Sequence, residues 1–249
     1  MGLSDEPAVA NATLAVAQAK AVPIRTRNAA GATAGGTGFF ARYQGRLWLV
    51  TAAHVALGAN GVHDRWAAWP GEIVVHVGPG MMVMLFDDQR RPLFAYRAEA
   101  GSVADILALD LSPLAQFDFM GTVENYDLTA DAQVAVGDAI TAHGFPTDVD
   151  DWPQAEPVAR SFSVHALSAG LVEHVPSAGS GMSGGPVLNQ HGALLGLVMG
   201  HNHGIGRVAS VEAIRWIIDG SLPRPPVSEW RTEGAPLRAC RRRTCTAFR

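Results

Sequence analysis

From Pro23 onward, short runs of β-branched, aromatic or leucine-rich residues alternate with turn residues. The runs are Thr37 to Tyr43, Arg46 to Thr51, Glu72 to Val77, Met81 to Phe86, Leu93 to Ala98, Asp105 to Leu111, Gln133 to Val136, Ala139 to His143, Ser161 to Leu167, Gly170 to His174, Pro186 to Leu188, Ala193 to Met199 and Arg207 to Ser210. Strands at this spacing predict an all-β barrel or sandwich. Gln44-Gly45 and Gln190-His191-Gly192 supply hairpin turns between them. One helix follows the strands: Val211 to Asp219 puts Val211, Ile214, Ile217 and Ile218 on one stripe and ends at Gly220. Ahead of the strands, residues 4–20 read as an Ala-rich helical arm, with Ser4 as N-cap and Asp5 and Glu6 in the first turn.

Composition narrows the class. The 249 residues are 48% hydrophobic and 17% charged, which excludes a disordered or fibrous chain, and 27 Gly with 15 Pro exceed the usual share without a triplet period. A net charge of −4 hides a body of −9 over residues 1–230 and a tail of +5 over residues 231–249. The acidic body weighs against nucleic acid as a partner, and the Arg241-Arg242-Arg243 run reads as a terminus drawn to that body. Cys240 and Cys245 both lie in the tail, so the core has no disulfide framework, and their spacing matches no metal or redox motif. The N-terminus is acidic where a secretory leader would be basic, and no apolar run reaches the 18 or so residues of a spanning helix, so the expectation is a cytoplasmic protein with no membrane partner.

Three segments carry chemistry: Thr51-Ala52-Ala53-His54, Ala104 to Leu109 around Asp105, and Gly181-Met182-Ser183-Gly184-Gly185-Pro186. Together they offer what acyl transfer needs: a hydroxyl nucleophile, an imidazole to take its proton, and a carboxylate to orient the imidazole. Glycines around the serine let backbone N–H groups converge on one point. Asp110 lies five residues past Asp105, so on one strand the two face opposite ways and only one can meet His54.

These segments, with Gly36-Thr37-Gly38-Phe39-Phe40, Gly137-Asp138, His143-Gly144-Phe145-Pro146 and Gly192 to Val198, resemble the chymotrypsin-like (trypsin-fold) serine peptidases, nearest to the bacterial Deg/HtrA protease domain. The resemblance spans roughly residues 33–219. It implies two packed six-stranded antiparallel β-barrels and a serine endopeptidase with catalytic His54, Asp105 (favoured over Asp110) and Ser183. The oxyanion donors would be the N–H groups of Gly181 and Ser183. The organisation implied is an arm over 1–22, a peptidase domain over 23–222 with barrels at about 23–115 and 123–210, and a basic tail over 223–249. The boundary between barrels falls near Ser112 to Val123. Loops are expected at Gly36 to Gly38 and Gly179 to Gly185. Only 30 residues follow Asp219, so the likeness is to the protease domain without a PDZ domain. No metal or organic cofactor is called for, the partner is a protein or peptide substrate, and oligomeric state is left open.

Two departures matter. Met182 stands where digestive members carry an acidic residue that pairs with a newly cut N-terminus, so that activating ion pair is not available. Ser177 takes the place at the base of the S1 pocket, with no acid nearby, which argues against a preference for Arg or Lys. Met199, Gly200 and His201 would wall that pocket, His201 either narrowing it or donating to a polar side chain.

Other readings are weaker. His201-Asn202-His203 with His191 lacks the ligands to complete a tetrahedral metal site. Asp148, Asp150, Asp151 and Glu156 lack the spacing of a calcium loop. His143 rivals His54 as base, but its place before Gly144-Phe145-Pro146 suits a strand end. Gly181 to Gly185 also fits the nucleophile elbow of α/β-hydrolases, yet no acid downstream of Ser183 is followed by the required His. A protease-fold binding or regulatory module, inactive or waiting for a partner, is the alternative from another class.

Overall fold

The computed structural model describes residues 20–27, 33–57, 69–77, 80–99, 102–114, 123–147, 152–154 and 156–220. The expected helical arm before Lys20, the tail with its two cysteines, and Asp148, Asp150 and Asp151 lie outside them, as does part of the expected barrel boundary, 115–122.

The first sheet is organised by β2 (Thr33–Tyr43), which pairs antiparallel with β1 (Ala21–Arg27) on one side and β3 (Arg46–Thr51) on the other. Gln44 and Gly45 make the β2–β3 turn at φ of 51° and 72°, the left-handed pair that matches the twist of a two-residue hairpin. Outward from β1 come β4 (Glu72–Val75) and β5 (Met81–Met84); outward from β3 come β9 (Leu107–Asp110) and β6 (Phe94–Ala95). β7 (Ala98–Glu99) and β8 (Ser102–Val103) form a separate ribbon, and β10 (Tyr126–Asp127) joins β2 in parallel.

The sheet runs through seven strands and curls into a half-barrel consistent with the first of the two expected barrels. The segments continuing its end strands β5 and β6 are joined by a Phe86–Pro92 bridge and by hydrogen bonds from Leu93 N–H to the Leu85 carbonyl at 2.9 Å and from Asp87 N–H to the Arg91 carbonyl at 3.0 Å. Pro92 has no N–H to extend a ladder. Asp87 Oδ1 accepts the N–H groups of Gln89 and Arg91, both at 2.9 Å, which curls the connection into a tight turn.

The second sheet is a closed six-stranded antiparallel barrel: β11 (Ala139–Gly144), β12 (Val158–Ser168), β13 (Leu171–Val175), β16 (Ile205–Ser210), β15 (Leu194–Asn202) and β14 (Pro186–Asn189). Ile140, Phe162, Val164, Val187 and Val208 fill it. The fold is therefore mostly β, as expected. Gln133 to Val136, expected as a strand, is not one: Ala135 N–H donates to Asp138 Oδ2 at 2.8 Å and Asp138 N–H returns to the Ala135 carbonyl at 3.1 Å. That local turn, with Gly137 at φ 93°, satisfies the backbone before a ladder can.

The helix α2 (Val211–Asp219) forms where its pattern predicts, with Ser210 as N-cap accepting Ala213 N–H at 3.1 Å. Its buried Val211, Ile214, Ile217 and Ile218 join the core under the first sheet, each contributing roughly 1.5–3 kcal/mol of transfer free energy. Asp219 holds the far end, accepting from Tyr43 Oη at 2.7 Å and Gln44 Nε2 at 2.6 Å. The helix thus ties the β2–β3 hairpin to the second barrel.

Candidate active site

His54 lies in α1 (Ala53–Leu57), a single helical turn entered directly from β3. Thr51, the last residue of β3, pairs with Leu107, the first of β9, so the segments just past β3 and just before β9 run side by side. Asp105 was expected inside a strand. It sits instead in a bend two residues before β9, where Ile106 N–H donates to the Ala104 carbonyl at 2.7 Å, so strand parity does not govern it. Its Oδ1 accepts the His54 backbone N–H at 2.9 Å, and His54 Nδ1 lies 2.8 Å from Oδ2 and 3.0 Å from Oδ1. Asp110 faces elsewhere, taking Arg46 Nη1 at 3.0 Å and Ser112 N–H at 2.9 Å.

Ser183 lies in the turn between β13 and β14, and its hydroxyl donates to the Met199 carbonyl at 3.0 Å rather than to His54. That carbonyl is available because the β15–β16 register shifts between Val198 and His201. Four contacts set the turn. Thr147 N–H donates to the Ser180 carbonyl at 3.3 Å, Thr37 Oγ1 to the Gly181 carbonyl at 2.8 Å, Gly185 N–H to the Met182 carbonyl at 3.0 Å, and Thr37 N–H to the Ser183 carbonyl at 2.9 Å. In a trans peptide the C=O and the next N–H point in opposite directions. Holding the Ser180 and Met182 carbonyls therefore aims the N–H groups of Gly181 and Ser183 away from those partners, and among the described residues neither N–H has an acceptor.

The glycines are steric necessities. At Gly181 (φ 82°) a Cβ would stand 2.4 Å from the Phe145 carbonyl oxygen, and at Gly184 (φ 84°) 2.0 Å from that of Thr37. Met182 is fully buried in the second core, beside Gly144, so apolar packing, and no ion pair, fixes this position. Gly36 and Gly38, expected in a loop, lie inside β2: added Cβ atoms would reach Val55 and Ile24 at 2.5 Å, so their absence permits packing.

A family model described as the trypsin-like peptidase domain matches residues 36–197, more than half of the chain and including all three segments above. The chain belongs to the trypsin-like peptidase family. Among solved structures, the serine endoprotease from Yersinia pestis matches with a TM-score of 0.54 and 18% identity, over 83% of this chain and 64% of that one; at that identity it shows the shared fold. This chain thus covers under two thirds of that neighbour. No curated protein matches the chain.

The remaining candidates of this trypsin-like peptidase spread out. Ser177 is half-buried on the segment entering the Ser183 turn, whose next carbonyl, Ala178, accepts Arg160 Nη1 at 2.7 Å. Met199, Gly200 and His201 follow one another on β15, the last two exposed. His143 is buried in β11, and burial holds its pKa below the ordinary imidazole value. His191, His203 and Glu156 are exposed, and among the described residues no three His, Cys, Asp or Glu side chains gather to hold a metal ion.

Thr37 and Thr51 stand within the motif segments of the sequence but were given no role of their own; both are fully buried. For Thr37 the signal was a polar residue between two glycines in a run otherwise apolar, and its hydroxyl's partners lie 144 and 108 positions away.

Proposed function

We propose that this chain is a serine endopeptidase acting on protein or peptide substrates. The observation that carries it is the pair of hydrogen bonds between His54 and Asp105. A carboxylate at Nδ1 requires the proton to sit there, which leaves Nε2 as the free base. Ser183 Oγ attacks the scissile carbonyl while Nε2 takes its proton; the oxyanion forms against the N–H groups of Gly181 and Ser183. His54 then passes the proton to the leaving amine, and water, activated in turn by His54, hydrolyses the acyl-enzyme. Loss of one oxyanion donor costs about 2.7–4 kcal/mol of barrier, so the turn matters as much as the triad. Ser177 at the pocket base, with no acid beside it in sequence, disfavours Arg and Lys side chains.

The contact of the Ser183 hydroxyl with the Met199 carbonyl favours a second reading, a protease-fold module that is inactive, or active only after a partner turns that hydroxyl toward His54. A fluorophosphonate probe separates the two. The enzyme reading expects labelling of wild type that is lost in Ser183→Ala and strongly reduced in His54→Ala. A folded wild type that stays unlabelled, with and without candidate protein partners, overturns it. Strong cleavage after Arg or Lys would overturn the pocket argument alone.

A further inference from the structure

We infer that the side-chain hydroxyl of Thr37 is a positioning group for the oxyanion site, acting across the two sheets; this rests on the peptidase reading above. Thr37 lies in β2, in the first sheet, while the Ser183 turn belongs to the second. The last β2–β3 pair is Gly38 with Thr51, so the Thr37 backbone lies past the end of β3 with no ladder partner on that side. The Ser183 turn takes that place. Thr37 N–H donates to the Ser183 carbonyl at 2.9 Å, and the Thr37 carbonyl accepts Thr51 Oγ1 at 2.7 Å.

Those backbone contacts could be made by any residue but proline. The hydroxyl adds what only Ser or Thr can: Oγ1 donates to the Gly181 carbonyl at 2.8 Å and accepts Phe145 N–H at 2.9 Å. One oxygen thereby joins β2 to the Ser183 turn and to the end of β11, whose Gly144 leaves room for it: a Cβ there would stand 2.8 Å from Oγ1.

The Gly181 carbonyl belongs to the middle of three consecutive peptides. The peptides on either side carry the N–H groups of Gly181 and Ser183, held by Thr147 and Gly185. With positive φ at Gly181, the middle peptide is free to rotate unless its carbonyl is fixed. If it turned, both flanking N–H groups would lose their common aim. Thr37 is fully buried, so water does not substitute for the missing hydroxyl without a cavity. The Met182 side chain, between the two donors, contributes apolar packing, which resists displacement but does not orient the Gly181 carbonyl.

The test compares Thr37→Val, which keeps the shape and removes the hydroxyl, with Thr37→Ser, which keeps the hydroxyl. Per active site titrated with fluorophosphonate, Thr37→Val is expected to lower kcat roughly ten- to a hundredfold, short of the 10²–10³ of a lost donor, with KM within about twofold. Thr37→Ser should stay within about threefold of wild type. Thr37→Val near wild-type kcat, or Thr37→Ser falling as far as Thr37→Val, overturns the inference; Thr37→Ala gives the same comparison where the valine variant does not fold. Wild type showing no more turnover than Ser183→Ala overturns the peptidase reading instead. The clamp is then judged by hydrogen exchange at the Phe145 amide. Loss of protection of about tenfold or more in Thr37→Val with retention in Thr37→Ser supports it, and unchanged protection overturns it.

Discussion

Asp105 grips His54 at two points: one carboxylate oxygen accepts the backbone N–H at 2.9 Å, and the other lies 2.8 Å from ring Nδ1. The backbone bond fixes where the carboxylate sits, and the ring bond fixes which nitrogen carries the proton. The two residues are 51 positions apart and are brought together by the pairing of β3 with β9.

Asp105→Asn is therefore expected to lower kcat by about 10⁴, because the amide accommodates the wrong tautomer. Asp110→Asn, which loses a surface pair with a 59% exposed Arg46, should leave kcat within about twofold. Kinetics on a peptide ester with both variants check this; equal losses would remove Asp105 from its role.

Gly184→Ala places a Cβ 2.0 Å from the Thr37 carbonyl oxygen and 2.9 Å from Ala52 N, both backbone, at a positive φ. The turn must shift, so kcat should fall at least about a hundredfold and urea stability by more than about 1 kcal/mol. A variant with wild-type turnover would show that the turn is not held as described.

Met182→Asp should not recreate an activating ion pair. It buries a carboxylate in an apolar site and is expected to cost about 3–5 kcal/mol, while Met182→Leu costs less than about 1.5. Urea midpoints of the two variants distinguish this from a site that tolerates charge.

Burial holds the pKa of His174 below the ordinary value; the ring is fully enclosed, with Nδ1 2.8 Å from the Pro176 carbonyl, against Gly206, and Nε2 without a partner among the described residues. The unfolded chain takes up that proton near pH 6.5 and the folded chain only at lower pH, so the unfolded state binds more protons in between. Stability should fall as pH drops through about 6.5, with His76 and His143, also lowered by burial, adding to the slope. Urea midpoints at about pH 7.5, 6.5 and 5.5 should decline less steeply in His174→Gln; an identical decline would show that His174 does not contribute.

Much of the fold was readable because alternation and turn chemistry are local. Arg46 to Thr51 and Val211 to Asp219 match the observed elements end to end. Gln133 to Val136 looked like a strand because composition does not reveal that Asp138 would cap the segment locally. The seam between β5 and β6 was not readable either, since closure depends on where a proline and an aspartate-held turn fall in space.

The sequence by itself determined the chemistry available: a histidine, an aspartate and a serine within glycine-bearing segments specific enough to point to one peptidase family. It also determined most strand positions, because side-chain periodicity acts between near neighbours. Only the tertiary structure decided which aspartate meets His54, that the Ser183 hydroxyl rests on the Met199 carbonyl, and that Thr37 reaches across the sheets to the Gly181 carbonyl. Each of those is a directional contact between residues tens of positions apart or at the mercy of a single rotamer, and direction in space is set by how sheets pack.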